Sequence, residues 1–130
     1  MDSSALLGGY LDEPRRAEFE RALRADGDWV SGWHTYVEVR RNLARELSSR
    51  SRFAALEDFE MDWRRTRKVE LDPALCVRAA ALAEQTSLRT LDALHLAAAD
   101  RIGQRGFAFL TADARLGRAA RLLGWTVLGA

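Results

Sequence analysis

The feature that most constrains this chain is an alternation. Short β-branched or aromatic runs take turns with segments whose apolar residues recur every three or four positions. Asp28 to Trp33, Arg67 to Leu71, Phe107 to Leu110 and Trp125 to Leu128 read as short strands. Helical spacing runs through Tyr36, Val39, Leu43 and Leu47, and again through Phe53, Leu56, Phe59 and Met61 or Trp63. Asp12-Glu13-Pro14 announces an earlier helix through Phe19, Ala22 and Leu23, with proline in its first turn. Ser48 to Ser51 reads as a turn between two helices. Asp72-Pro73 caps a helix through Leu75, Ala79, Leu82 and Ala83 that ends near Gln85. The next helix carries Leu91, Leu94, Ala98 and Ile102 and stops at Gly103 and Gly106, and a last one carries Leu116, Ala119, Ala120 and Leu123.

Strands that alternate with helices pair mostly in parallel through right-handed crossovers. The expected fold is therefore α/β, a three-layer α/β/α domain with a short, mostly parallel central sheet. No internal repeat and no Pro-, Gly- or Ser-rich linker divides the chain, so residues 1–130 form one domain, and 48% apolar residues suffice for its core. In such sheets ligands bind beyond the carboxyl ends of the strands, where the following helices begin. The chemistry is to be sought at that edge.

Charge and cysteine narrow the setting. Twenty basic against nineteen acidic side chains leave a net charge of +1, so no global field points to nucleic acid or anionic lipid and any such partner meets a local patch. Nineteen of the basic residues are arginine and only Lys68 is lysine. The single cysteine, Cys76, can form no internal disulfide, and MDSSALL lacks a basic signal-peptide start. Charges interrupt every apolar run before it reaches the roughly 18 residues of a membrane span. The chain reads as cytoplasmic, without a membrane partner.

Four acids stand at helix starts or strand ends: Asp2 in DSSALL, Glu38 in TYVEVRRNL, Asp92 in LRTLDALHLAAAD and Asp113 in FLTADARLGRAA. Each has a structural explanation. Thr35-x-x-Glu38 matches a capping box, Thr90 can cap a helix with Asp92 in its first turn, Thr111 or Asp113 can cap the last helix, and Asp2 can cap the first. Taken together they say more. Helices starting at one edge of a parallel sheet aim their first turns at a common region, and like charges about 4 Å apart there cost on the order of 4 kcal/mol per pair at an effective dielectric of 20. A cation or protons must balance them. All-oxygen ligation, without paired cysteines or His-x-x-x-His, suits Mg²⁺ or Mn²⁺ and argues against zinc. Such a site offers phosphodiester hydrolysis by a metal-activated water.

The ordered segments DSSALL with YLDEP, EVRRNLAR, TLDALHLAAA and FLTADARLGRAA span the whole chain and together resemble the VapC-type PIN-domain family. The resemblance implies a PIN-like fold and a metal-dependent endoribonuclease. Such an enzyme is the toxin of a toxin-antitoxin pair, cuts structured RNA such as tRNA or rRNA, and is silenced by a VapB-type antitoxin. It also implies a homodimer. Carried over by position, the family's catalytic and metal-holding acids fall on Asp2, Glu38, Asp92 and Asp113. Ser3 or Ser4 and Thr111 supply the adjacent hydroxyls that orient acids, water or phosphate. Arg115 and Arg118, just after Asp113, are placed for RNA phosphates. The chain departs from the family's pattern in two places. Only Met1 precedes Asp2, where relatives carry an apolar first strand: either the true start lies upstream, or the central strand is short and leaves Asp2 on a frayed end. Gly8-Gly9 replaces bulkier residues and is expected to loosen the rim of the site.

The remaining polar and aromatic residues read as structural. His34 and His95 are the only histidines; His95, one helical turn after Asp92, could orient that acid or touch RNA, but reads first as a satisfied, partly buried ring. Asp100 is expected to be solvated or paired with Arg101 or Arg105, and Cys76 to be a small core residue. Trp29, Trp33 and Trp63 fill core or interface, and the basic runs at Arg40, Arg41 and Arg45 and from Arg64 to Lys68 form solvated faces. The principal rival to the nuclease is a non-catalytic PIN-like binding or regulatory module whose acids are only caps. A dehalogenase-like or receiver-like phosphoryl domain ranks lower, because Lys68 follows no strand suited to its lysine. Neither G-x-S-x-G nor G-x-x-x-x-G-K-[ST] is present.

Overall fold

A computed structural model describes residues 1–11, 14–104 and 106–130. Along the chain run α1 (Ser3–Tyr10), α2 (Arg16–Ala25), β1 (Val30–Gly32), α3 (Trp33–Glu46), α4 (Ser49–Arg65), β2 (Arg67–Val69), α5 (Pro73–Thr86), α6 (Thr90–Ile102), β3 (Phe109–Leu110), α7 (Ala114–Leu122) and β4 (Val127–Leu128). Every strand pair is parallel: Val30, Ser31 and Gly32 of β1 lie opposite Arg67, Lys68 and Val69 of β2, while Phe109 and Leu110 of β3 lie opposite Val127 and Leu128 of β4.

Met1 and Asp2 join the two pairs. The Met1 amino group donates to the Val30 carbonyl at 3.0 Å, Ser31 Oγ donates to the Met1 carbonyl at 2.9 Å, and Asp2 N–H donates to the Leu110 carbonyl at 3.1 Å. Two residues thus stand where a central strand belongs, between β1 and β3. The end is not frayed: Asp2 is 3% exposed, because both neighbouring strands and its own helix hold it.

Successive strand residues face opposite sides of a sheet, and β3 shows what this does to the packing. Phe109 enters a core with Leu75, Leu82, Leu96 and Leu116 from α5, α6 and α7, whereas Leu110 enters another with Leu6, Phe19, Val39, Leu43 and Phe59 from the first four helices. Helices cover the strands on both faces, as the alternation predicts. Local chemistry sets the boundaries. Asp72 caps α5 by accepting from Leu75 N–H at 2.9 Å with Pro73 in the first turn, and Gly103, at φ 83°, ends α6 in a conformation that favours glycine.

Some expectations are corrected. Ser48 caps α4 and Ser49 to Ser51 form its first turn, so the connection from α3 is only Leu47 and Ser48. Pro14 lies ahead of α2, which begins at Arg16; Asp12 and Glu13 lie outside the described residues. Cys76 is exposed, because α5 buries Leu75, Ala79 and Leu82 and places the next position on the outer face. Asp100 pairs with Arg78 at 2.7 Å rather than with Arg101, whose guanidinium is held by Asp72 at 2.6 Å; Arg105 lies outside the described residues. Trp33 opens α3 and is 40% exposed, not a strand residue in the core. Gly8 is a packing requirement rather than a loosened rim. A Cβ there would stand 2.6 Å from Phe19 Cδ2 of α2, whereas one on Gly9 would make an ordinary contact of 3.7 Å with Leu23.

Candidate active site

Four helices deliver the four acids to one place. Asp2 precedes α1, Glu38 lies in the second turn of α3, Asp92 in the first turn of α6 and Asp113 at the start of α7. Together with Ser3, Ser4 and Arg89 they line an open cleft of about 420 Å³. Convergence at the carboxyl edge follows from parallel strands feeding helices on the same side.

Two acids cap helices. Asp2 caps α1: Oδ1 accepts from Ala5 N–H at 3.1 Å and from Ser4 Oγ at 2.8 Å, and Oδ2 accepts from Thr111 Oγ1 at 2.8 Å. Asp113 caps α7, with Oδ1 accepting from the N–H groups of Arg115 at 2.7 Å and Leu116 at 2.9 Å. Thr111 links them. Its hydroxyl donates to Asp2 and accepts from Asp113 N–H at 3.0 Å, just as Ser4 Oγ donates to Asp2 and accepts from Ala112 N–H at 2.9 Å. With both hydroxyl protons directed at Asp2, Ser4 and Thr111 orient an acid. Thr111 is wholly buried.

Asp92 differs. It caps nothing, for α6 starts at Thr90 with Arg89 in the cap position and no side-chain cap, which corrects the expectation for Thr90. Its Oδ2 is buried and has no hydrogen-bond partner among the described residues; the nearest cation, Arg89 Nε, stands 3.6 Å away. Burial raises the Asp92 carboxyl above the usual range, and the charges of Asp113 and Asp2 push the same way against Arg89. An unsatisfied carboxylate oxygen beside further acids is the environment that a divalent cation relieves. The donor set, four carboxylates, fits hard Mg²⁺ or Mn²⁺.

Glu38 is not part of a capping box. The helix α3 begins at Trp33 directly after β1, which places Thr35 inside the first turn, buried and bonded to Ser31 Oγ at 2.7 Å. Glu38 Oε2 instead accepts from His95 Nε2 at 2.7 Å. Burial pushes its carboxyl up, but the hydrogen bond from His95, with one from Ser3, outweighs this and holds it below the usual range. His95 therefore serves Glu38, not the neighbouring Asp92.

Basic residues divide unexpectedly. Arg115 and Arg118 are exposed on α7 and do not line the cleft. The basic residue that does is Arg89, with its guanidinium 3.6 Å from Asp92 and 3.9 Å from Asp113. Its position three residues ahead of Asp92, at a helix start, was the signal available in the sequence.

Comparison with known proteins gives the family. The PIN domain family matches residues 1–122. Ribonuclease VapC46 of Mycobacterium tuberculosis (strain ATCC 25618 / H37Rv) is 33% identical over 128 residues, covering 98% of this chain and 94% of the relative. Ribonuclease VapC45 of M. tuberculosis (strain CDC 1551 / Oshkosh) and ribonuclease VapC49 of strain ATCC 25618 / H37Rv are each 36% identical over 97 residues, 71% of this chain and 67% of theirs. The match extends through α7, so it includes all four acid-bearing elements. This chain belongs to the PIN-domain family, among the VapC-type ribonucleases.

Proposed function

We propose that the protein is a Mg²⁺- or Mn²⁺-dependent endoribonuclease that acts in the cytoplasm as the toxin of a toxin-antitoxin pair. The observation that carries this reading is the buried Oδ2 of Asp92, without a hydrogen-bond partner among the described residues, in a cleft that it shares with Asp2, Glu38 and Asp113. Bound among these carboxylates, the metal supplies an attacking water of lowered pKa and neutralises charge developing on the phosphoryl oxygens. The chain's own residues set the stage. Ser4 and Thr111 fix Asp2, and the Thr111 hydroxyl ties Asp2 to Asp113, so that these two acids keep one mutual orientation. Arg89 is exposed and held only at ion-pair distance by two acids. Once those acids are otherwise neutralised, it is free to turn to the scissile phosphate. Arg115 and Arg118, exposed on α7, meet flanking phosphates.

The relatives' names as ribonucleases support an RNA substrate, and the resemblance of the sequence motifs extends the reading to partners. The substrate is a structured RNA, tRNA or rRNA, and the inhibitor is a VapB-type antitoxin whose basic side chain neutralises the acids in the cleft. The toxin works as a homodimer. No helix among the described residues is long and apolar enough to cross a membrane.

The test incubates the antitoxin-free protein with structured RNA in Mg²⁺ or Mn²⁺, beside EDTA and the Asp92→Asn and Asp113→Asn variants. Discrete cleavage that all three controls abolish is the expected result. Absence of cleavage together with absence of metal binding by the wild type would favour the rival, a non-catalytic PIN-like binding or regulatory module.

A further inference from the structure

Behind Glu38 lies a buried relay that the proposed hydrolysis does not account for. His95 Nε2 donates to Glu38 Oε2 at 2.7 Å, and His95 Nδ1 lies 2.9 Å from His34 Nε2, with the two rings 4.1 Å apart between centroids. Both histidines are buried, His95 to 4% exposure. Hydrogen bonding fixes the proton positions. An ionised carboxylate only accepts, so His95 Nε2 carries a proton; its Nδ1 then accepts from His34 Nε2–H. That leaves His34 Nδ1 as a bare lone pair, and it is indeed buried without a partner among the described residues. The opposite assignment would bury an N–H with no acceptor, the costlier error.

A second observation shows that the outer ring has a built seat. Gly32 has φ −77° and ψ 154°, a conformation open to any residue. What requires glycine is space. A Cβ at position 32 would stand 2.4 Å from His34 Cε1 and 2.6 Å from Nδ1. The end of β1 is pared back to the backbone where the His34 ring lies.

Ligand atoms of His34, Glu38 and His95 also lie within 4.8 Å of one another, close enough to suggest a separate metal centre. Geometry favours a relay. His95 turns one nitrogen to Glu38 and the other to His34, and the two ring nitrogens point in divergent directions, so the three groups do not converge on one ion.

We propose that His95, locked by His34, is a positioning residue that holds the Glu38 carboxylate in its metal-binding orientation. A glutamate side chain has three rotatable bonds, and one strong bond to a buried ring removes most of their freedom before the cation arrives. This inference rests on the reading that the cleft takes a divalent cation.

The experiment is calorimetric titration of Mn²⁺ into the metal-free protein, with folding checked by circular dichroism. His95→Leu is expected to weaken Mn²⁺ binding about 10- to 100-fold. His95→Gln, whose amide can donate to Glu38, should recover most of the loss, and in a Glu38→Gln background His95→Leu should change nothing further. If His95→Leu does not fold, Gly32→Ala carries the test, because it displaces the His34 ring without touching Glu38; a several-fold loss is expected. Unchanged affinity in the folded His95→Leu or Gly32→Ala variant, or a His95→Gln as defective as His95→Leu, overturns the positioning role alone. A wild type that takes up no Mn²⁺ instead removes the metal-site reading and this inference with it.

Discussion

The four acids of the cleft divide into two kinds. Asp2 and Asp113 begin helices and cap them, whereas Asp92 has an oxygen with no hydrogen-bond partner among the described residues and Glu38 leans on a histidine from another helix. The first pair belongs to the fold as much as to the site. The second pair contributes no cap, and burying Asp92 works against its charge. A cap and a ligand are therefore not rival explanations of one residue. What marks the site is the acid for which the described residues provide no hydrogen bond.

Asp92→Asn breaks this contrast most forcefully. Activity should fall about 1,000-fold, roughly 4 kcal/mol of transition-state stabilisation. In EDTA, however, the variant should melt higher than the wild type. The sign follows from the raised carboxyl: the folded state binds the proton more tightly, so the Asp92 contribution to stability declines as pH rises from the ordinary carboxylate range through the folded-state value, and at neutral pH its charge is a cost. A variant that loses both activity and stability would show Asp92 to be structural.

Thr111→Val should do the reverse to the other pair. It removes the donor to Asp2 and the acceptor for Asp113 N–H while conserving shape, and should cost about 1–3 kcal/mol in urea denaturation. Metal affinity should weaken less than stability does. His34 sharpens the picture by pH. Burial, then the neighbouring His95, lowers its pKa to about 3. The unfolded chain thus binds the extra proton first, and stability drops by about 1.4 kcal/mol per unit as pH falls below roughly 6.5, levelling near the folded value. His34→Gln should flatten that slope in thermal melts. At Gly8 and Gly9, neighbours in sequence again differ in surroundings: Gly9→Ala should stabilise α1 by about 0.5–1 kcal/mol, while Gly8→Ala should destabilise against Phe19.

Much of this was legible in the sequence, for identifiable reasons. Periodicity marked every strand and most helices, and Asp72-Pro73, Asp2 and Asp113 announced their helices because a cap acts through its own next few residues. Asp2, Asp92 and Asp113 were legible because each opens a helix, and Glu38 because its segment matches the family pattern. Thr35-x-x-Glu38 misled because the capping motif is local, whereas the start of α3 is set by β1 ending at Gly32. Cys76 misled because a run of small apolar residues blurs which side of α5 is buried. The Glu38–His95–His34 relay joins positions 57 and 61 residues apart, and Gly32 matters only through a ring that packs against it. No local pattern encodes such meetings. They come into being when α3 and α6 pack together.

The central claim is that the unsatisfied acid cluster is a hard-cation site. Calorimetric titration of Mn²⁺ into the wild type and Asp92→Asn tests it most directly. The account predicts saturable binding to the wild type and its loss in the folded variant. Equal binding by both proteins, or none by the wild type, would contradict it.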